Sequence, residues 1–172
     1  MHTDHSQALA VAWFYLEHFG FAKAPPQTDN EVVRNMALAL ITAASGDGRL
    51  SDNERRWILG YFAAKGYPPA VIEEMSGMSK ADVSALPELM QVGILRVSGR
   101  ILLYDAIRAA SVDAYTSGER AAVQNAARLL GMDAADVADL EQLVADEQAL
   151  KTRRIKLLMP AGHPNLDPKY QG

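Results

Sequence analysis

The sequence predicts an all-α fold: a single domain of seven or eight helices built round a duplicated helix–turn–helix with pseudo-twofold symmetry. Three observations carry that expectation. Residues 41–75 recur as residues 107–140, with one residue dropped in the second turn. Ile41, Ala43, Ala44, Ser45, Asp47, Glu54, Arg55 and Gly66 reappear as Ile107, Ala109, Ala110, Ser111, Asp113, Glu119, Arg120 and Gly131. Aromatic residues are only 7% of a chain dominated by Ala and Leu, a balance that favours helices over sheets. Ser/Thr-x-x-Glu motifs also recur just ahead of apolar stretches, the pattern of a helix start whose side chains satisfy its free amides.

Residues 6–19 form the first predicted helix, apolar nearly all round (Leu9, Val11, Trp13, Phe14, Leu16, Phe19) and so expected to be buried between others. Gly20 ends it, and Pro25 and Pro26 mark a connector. Thr28-x-x-Glu31 reads as a capping box opening a helix to about residue 45, with Val32, Val33, Met36, Leu40 and Ile41 inward. The Gly46-Asp47-Gly48 turn breaks that helix. Ser51-x-x-Glu54 opens the next, which ends at Gly66. Pro68 and Pro69 suit the first turn of a short helix through residue 75, and residues 79–85 fit one more turn.

A long helical stretch begins at Pro87 and runs to about residue 112, with Ser98-Gly99 placed to kink or split it. Thr116-x-x-Glu119 caps a helix ending at Gly131. The last helix, about 133–158, starts acidic (Asp133, Asp136, Asp139) and ends basic (Lys151, Arg153, Arg154, Lys156), which suits its dipole. The chain therefore divides into residues 1–29, a buried helix and connector; residues 30–159, the helical domain; and residues 160–172, a Pro-rich tail expected to be extended.

Composition narrows the functions. With 172 residues, 49% of them hydrophobic, the chain can bury a core as one domain. A net charge of −4 gives no electrostatic footprint for nucleic acid. The absence of cysteine removes disulfides, thiolate zinc sites and a cysteine nucleophile, and fits a reducing compartment. The first seven residues, MHTDHSQ, lack the basic lead of a secretory signal, and the apolar run at 8–14 is too short to span a bilayer. A cytoplasmic protein without a membrane span is expected. The basic end of the last helix allows at most peripheral contact with lipid or an acidic partner.

Candidate chemistry lies in the two acidic turns. Laid over an EF-hand loop, residues 43–54 place Asp47, Gly48, Leu50 and Glu54 in register. Ala43 and Ser45 stand where the leading ligands belong, so neither turn alone can encircle a cation. Packed face to face, the two turns would bring Asp47, Glu54, Asp113 and Glu119 together, a hard-oxygen set suited to calcium, magnesium or manganese. A plainer reading stands beside it: the glutamates are explained by capping and the aspartates by turn formation.

Other constellations carry less. No Glu-x-x-His pair is present for a di-iron bundle site. The Gly46-x-Gly48-x-x-Ser51 run follows a helix instead of a strand, and so fails as a dinucleotide fingerprint. Ser45 and Ser111 have no neighbouring histidine to activate them. His2 and His5 lie in the N-terminal segment, His163 in the tail, and His18 at a helix end where an imidazolium suits the dipole. Trp13, Phe14 and Phe19 read as core, as do Met75, Met78 and Met90.

The succession of an Ala-rich helix, Asp47-Gly48-x-Leu50-Ser51-x-x-Glu54, and an amphipathic helix ending at Gly66 resembles the tellurite-resistance protein B (TerB-like) family. A looser copy spans residues 109–131, and the resemblance covers roughly residues 30–145. It implies an all-helical pseudosymmetric core and an acidic cluster proposed to bind a metal cation, on Asp47, Glu54, Asp113 and Glu119. It also implies a stress-response role exerted through partners or near membranes. The second copy departs from the pattern, with Val112-Asp113-Ala114-Tyr115 in place of Gly46-Asp47-Gly48-Arg49.

The leading functional expectation is a non-enzymatic accessory protein that binds a divalent cation and acts through a protein partner or as a homo-oligomer. One alternative is a metal-dependent enzyme whose carboxylate site activates water or oxygen, although no acid, base or nucleophile set completes it. The other is a metal-free structural interaction module.

Overall fold

The computed structural model describes residues 5–21, 23, 29–45, 50–78, 83–89 and 93–162. Among them are eight α-helices, one 3₁₀ turn at Val83–Ala85 and no strand. The helices are α1 (His5–Phe19), α2 (Asn30–Ala44), α3 (Asp52–Ala64), α4 (Pro69–Ser76), α5 (Leu86–Leu89), α6 (Gly93–Ala110), α7 (Ser117–Leu129) and α8 (Ala134–Leu158).

The helices α2 and α6, which open the two sequence repeats, form the central pair. Their C-terminal halves carry Ala37, Ala39, Ala43 and Ala44 on one and Ala106, Ala109 and Ala110 on the other, all inaccessible to solvent. Small side chains let two helices approach closely, and Ile41, Leu103 and Ile107 fill the space beside them. α7 packs on both members of the pair, α3 packs on α6, and α8 runs along α6 and α7.

The second helices of the two repeats end in the same way. Gly66 and Gly131 adopt φ of +79° and +73°. The following amides, Tyr67 and Met132, donate back to the Phe62 and Ala127 carbonyls at 3.0 and 2.9 Å. This is the Schellman cap, which needs a left-handed residue that only glycine adopts cheaply. The two positions differ in surroundings. A Cβ on Gly66 would meet Val11 at 3.1 Å, whereas one on Gly131 meets nothing within 4 Å. Gly131→Ala should therefore cost about 1–2 kcal/mol in backbone strain alone. Gly66→Ala should cost measurably more in urea unfolding, because it also displaces α1.

Three local expectations are corrected. α1 is not buried between helices: it lies on α3 and buries only Phe14, leaving Leu9, Trp13 and Leu16 about 60% exposed. Packing mainly against one neighbour covers one face of a helix. α2 is capped by Asp29, whose carboxylate accepts the Glu31 amide at 2.8 Å, while Thr28 of the expected box lies outside the described residues. Gly99 does not split its helix, which runs on from Gly93 to Ala110. Its lack of a side chain serves packing instead: a Cβ there would come within 3.1 Å of Leu130.

Candidate functional site: two capping boxes that meet

Each repeat's second helix begins with a complete capping box. In α3 the Ser51 hydroxyl accepts the Glu54 amide at 3.1 Å, and Glu54 accepts the Ser51 amide at 2.7 Å. In α7 Thr116 and Glu119 repeat the arrangement at 3.3 and 2.5 Å. Both glutamates are buried, at 4% and 7% exposure, an uncommon state for a carboxylate. Ahead of the boxes, α2 and α6 end in buried Ser45 and part-buried Ser111. Their hydroxyls donate to the Ile41 and Ile107 carbonyls at 2.6 Å, so neither serine is poised as a nucleophile.

The two boxes touch. The Glu119 carboxylate lies within hydrogen-bonding reach of the Glu54 carboxyl. Burial and this like-charged neighbour push Glu54 up to about 7, against the downward pull of the Ser51 amide and hydroxyl. Near neutrality Glu54 is therefore only partly ionised. Asp113 completes the link between repeats. Its carboxylate accepts the Ser51 hydroxyl at 2.6 Å and the Asn53 side-chain amide at 2.9 Å, and these two donors hold it below the usual carboxylate range. The second acidic turn thus grips the start of the first repeat's α3, through the serine that caps Glu54.

Of the four carboxylates expected to converge, Glu54 and Glu119 meet directly, Asp113 joins them through Ser51, and Asp47 lies outside the described residues. Among the described residues no group of three or more acidic or histidine side chains is placed to hold a metal ion. The donor chemistry present is nonetheless all hard oxygen, with a buried carboxyl pair whose mutual repulsion a cation would relieve. The repeat arginines tie each unit to the next helix: Arg55 donates to the Ser76 and Met78 carbonyls at the end of α4, and Arg120 to Glu141 of α8.

A second polar cluster was not foreseen from the sequence. Asp105 of α6, 3% exposed, accepts the Tyr61 hydroxyl at 2.5 Å and pairs with Lys65 at 3.6 Å. The Lys65 ammonium also lies over the Tyr61 and Tyr67 rings. Burial pushes Asp105 up against the opposing pull of Lys65 and Tyr61. The available signal was one acidic residue inside the apolar run of residues 101–110. His18, expected as an imidazolium at a helix end, is instead pushed down, by burial first and by Arg108 second. His2 and His163 lie outside the described residues, and no helix among the described residues is long and apolar enough to cross a membrane.

The chain matches no family model and no curated protein sequence. It is similar to a tellurite resistance protein from Nostoc punctiforme, at 30% sequence identity over 94% of this chain and 99% of that one. The crystal structure of that protein superposes with a TM-score of 0.79.

Proposed function

The chain belongs to the TerB-like family of tellurite resistance proteins, and from that premise we propose a stress-response accessory protein whose paired capping boxes take up a divalent cation. The observation that carries this reading is the Glu54–Glu119 contact: two buried carboxyls, one raised to about 7, with Asp113 one hydrogen bond away. Asp47, the repeat counterpart of Asp113, is the fourth expected ligand. A calcium, magnesium or manganese ion would supply positive charge that lets all these carboxylates ionise together.

The chain's own groups set the conditions. Ser51 and Thr116 fix the two helix starts, so the glutamates hold their positions whether or not the site is filled. Asp113 and Asn53 cross-link the second turn to the first repeat's α3. Occupancy would then tighten one repeat against the other and stiffen the surface offered to a protein partner.

Thermal unfolding at pH 8 tests it. Millimolar calcium, magnesium or manganese should raise the melting temperature of chelator-stripped protein, since a ligand at about a hundred times its Kd stabilises by about 2.7 kcal/mol. An Asp47→Asn/Asp113→Asn variant should lose most of that rise. A melting temperature unmoved by all three ions would leave the boxes as caps sharing a proton, and the protein as a metal-free interaction module.

A further inference from the structure

α8 is longer than the body it packs on. It buries only Val137 and Val144, and every side chain from residue 145 to residue 158 is exposed. At 1.5 Å per residue that is about 20 Å of helix without a covered face. Its exposed apolar residues are ordered. Leu143, Leu150 and Leu157, exposed by 47, 56 and 70%, stand seven residues apart and share one stripe.

Two pairs of charges beside that stripe are arranged symmetrically about Leu150 with opposite signs. Four residues before it stands Asp146, and four after it Arg154; three before it stands Glu147, and three after it Arg153. Two such helices laid antiparallel across a twofold axis at Leu150 would set Leu143 against Leu157. The same register places Asp146 against Arg154, twice over. Glu147 is already engaged by Tyr104 at 2.8 Å, whereas Asp146 contacts only Gln142 of its own helix, and Arg154 forms no ion pair among the described residues. Self-complementarity of this kind, in which residue i meets j and j meets i, is the signature of an isologous interface.

We propose that the exposed face of α8 is a homodimer interface, in which two copies of this chain pair antiparallel about Leu150. A second copy fits better than an anionic membrane. A membrane would attract the basic run Lys151, Arg153, Arg154 and Lys156 but repel Asp146 beside it, whereas a second copy gives Asp146 and Arg154 each a partner.

Sedimentation analysis of the full chain over a range of concentrations, at low and high salt, tests this. The expected result is a monomer–dimer equilibrium with Kd in the roughly micromolar range, weakened by salt. Leu150→Glu should weaken it about a hundredfold, by opposing two like charges at the centre of the stripe. Asp146→Arg and Arg154→Asp should each weaken it about tenfold at low salt, and the double charge swap should restore it. All three positions are solvent-facing, so unchanged helical circular dichroism should accompany every variant. A chain that stays monomeric overturns the proposal, as does a dimer indifferent to Leu150→Glu or a double swap that fails to rescue. Flotation of a monomer with phosphatidylcholine–phosphatidylserine vesicles would assign the face to lipid and overturn it equally.

Discussion

Replacing Asp105 with alanine should lower the unfolding free energy by about 3–5 kcal/mol, the usual cost of breaking a buried ion pair by removing one partner. Asp105 is 3% exposed and Lys65 has only 10% of its side chain in water, so loss of the carboxylate strands a cation beside two tyrosine rings. It also leaves the buried Tyr61 hydroxyl without its acceptor. For a chain of this length the melting temperature should fall by about 10 °C. Asp105→Asn should cost less, because its carbonyl still accepts from Tyr61. Chemical unfolding in urea measures both. A loss below about 1 kcal/mol for the alanine variant would mean that Lys65 reaches solvent freely and that the cluster contributes little.

The second large effect is pH-dependent. Glu54 titrates near 7 in the folded chain, against an ordinary value of 4.5. A carboxyl raised on folding contributes stability that is present below the unfolded value and lost as pH rises through the folded one. In cation-free buffer the wild type should therefore lose up to about 3 kcal/mol between pH 4.5 and pH 8 through this group. Glu54→Gln should lose none of it. Its carbonyl can still accept the Ser51 amide, and its amide can donate to Glu119 as the protonated acid does. Above pH 7 the variant should be the more stable protein, and a saturating divalent cation should narrow the gap by stabilising only the wild type. Equal pH profiles for the two proteins would mean that the glutamates do not share a buried charge.

Much of the arrangement was legible in the sequence because it is local. Ser51-x-x-Glu54 and Thr116-x-x-Glu119 are capping boxes at the predicted positions, and Gly66 and Gly131 end their helices as predicted, since caps involve neighbours three or four residues apart. The duplication also predicted that the two acidic turns would approach, and Asp113 does reach the Ser51 of the first copy. What was not legible depends on distant packing. Only the position of Leu130 explains why residue 99 has room for no side chain. Only the meeting of α3 with α6 gives Asp105 its Tyr61 and Lys65 partners. α1 has the composition of a buried helix, but packing mainly on α3 leaves Trp13 in water.

The proposed cation site is the Glu54–Glu119 pair, formed by two helix starts. Titration calorimetry at pH 8 tests it most directly, with chelator-stripped wild type and a Glu54→Gln/Glu119→Gln variant titrated with calcium, magnesium and manganese. One saturable site is expected in the wild type for at least one of these ions and none in the variant, which keeps its fold. No binding at millimolar cation, or the same binding in both proteins, would contradict it.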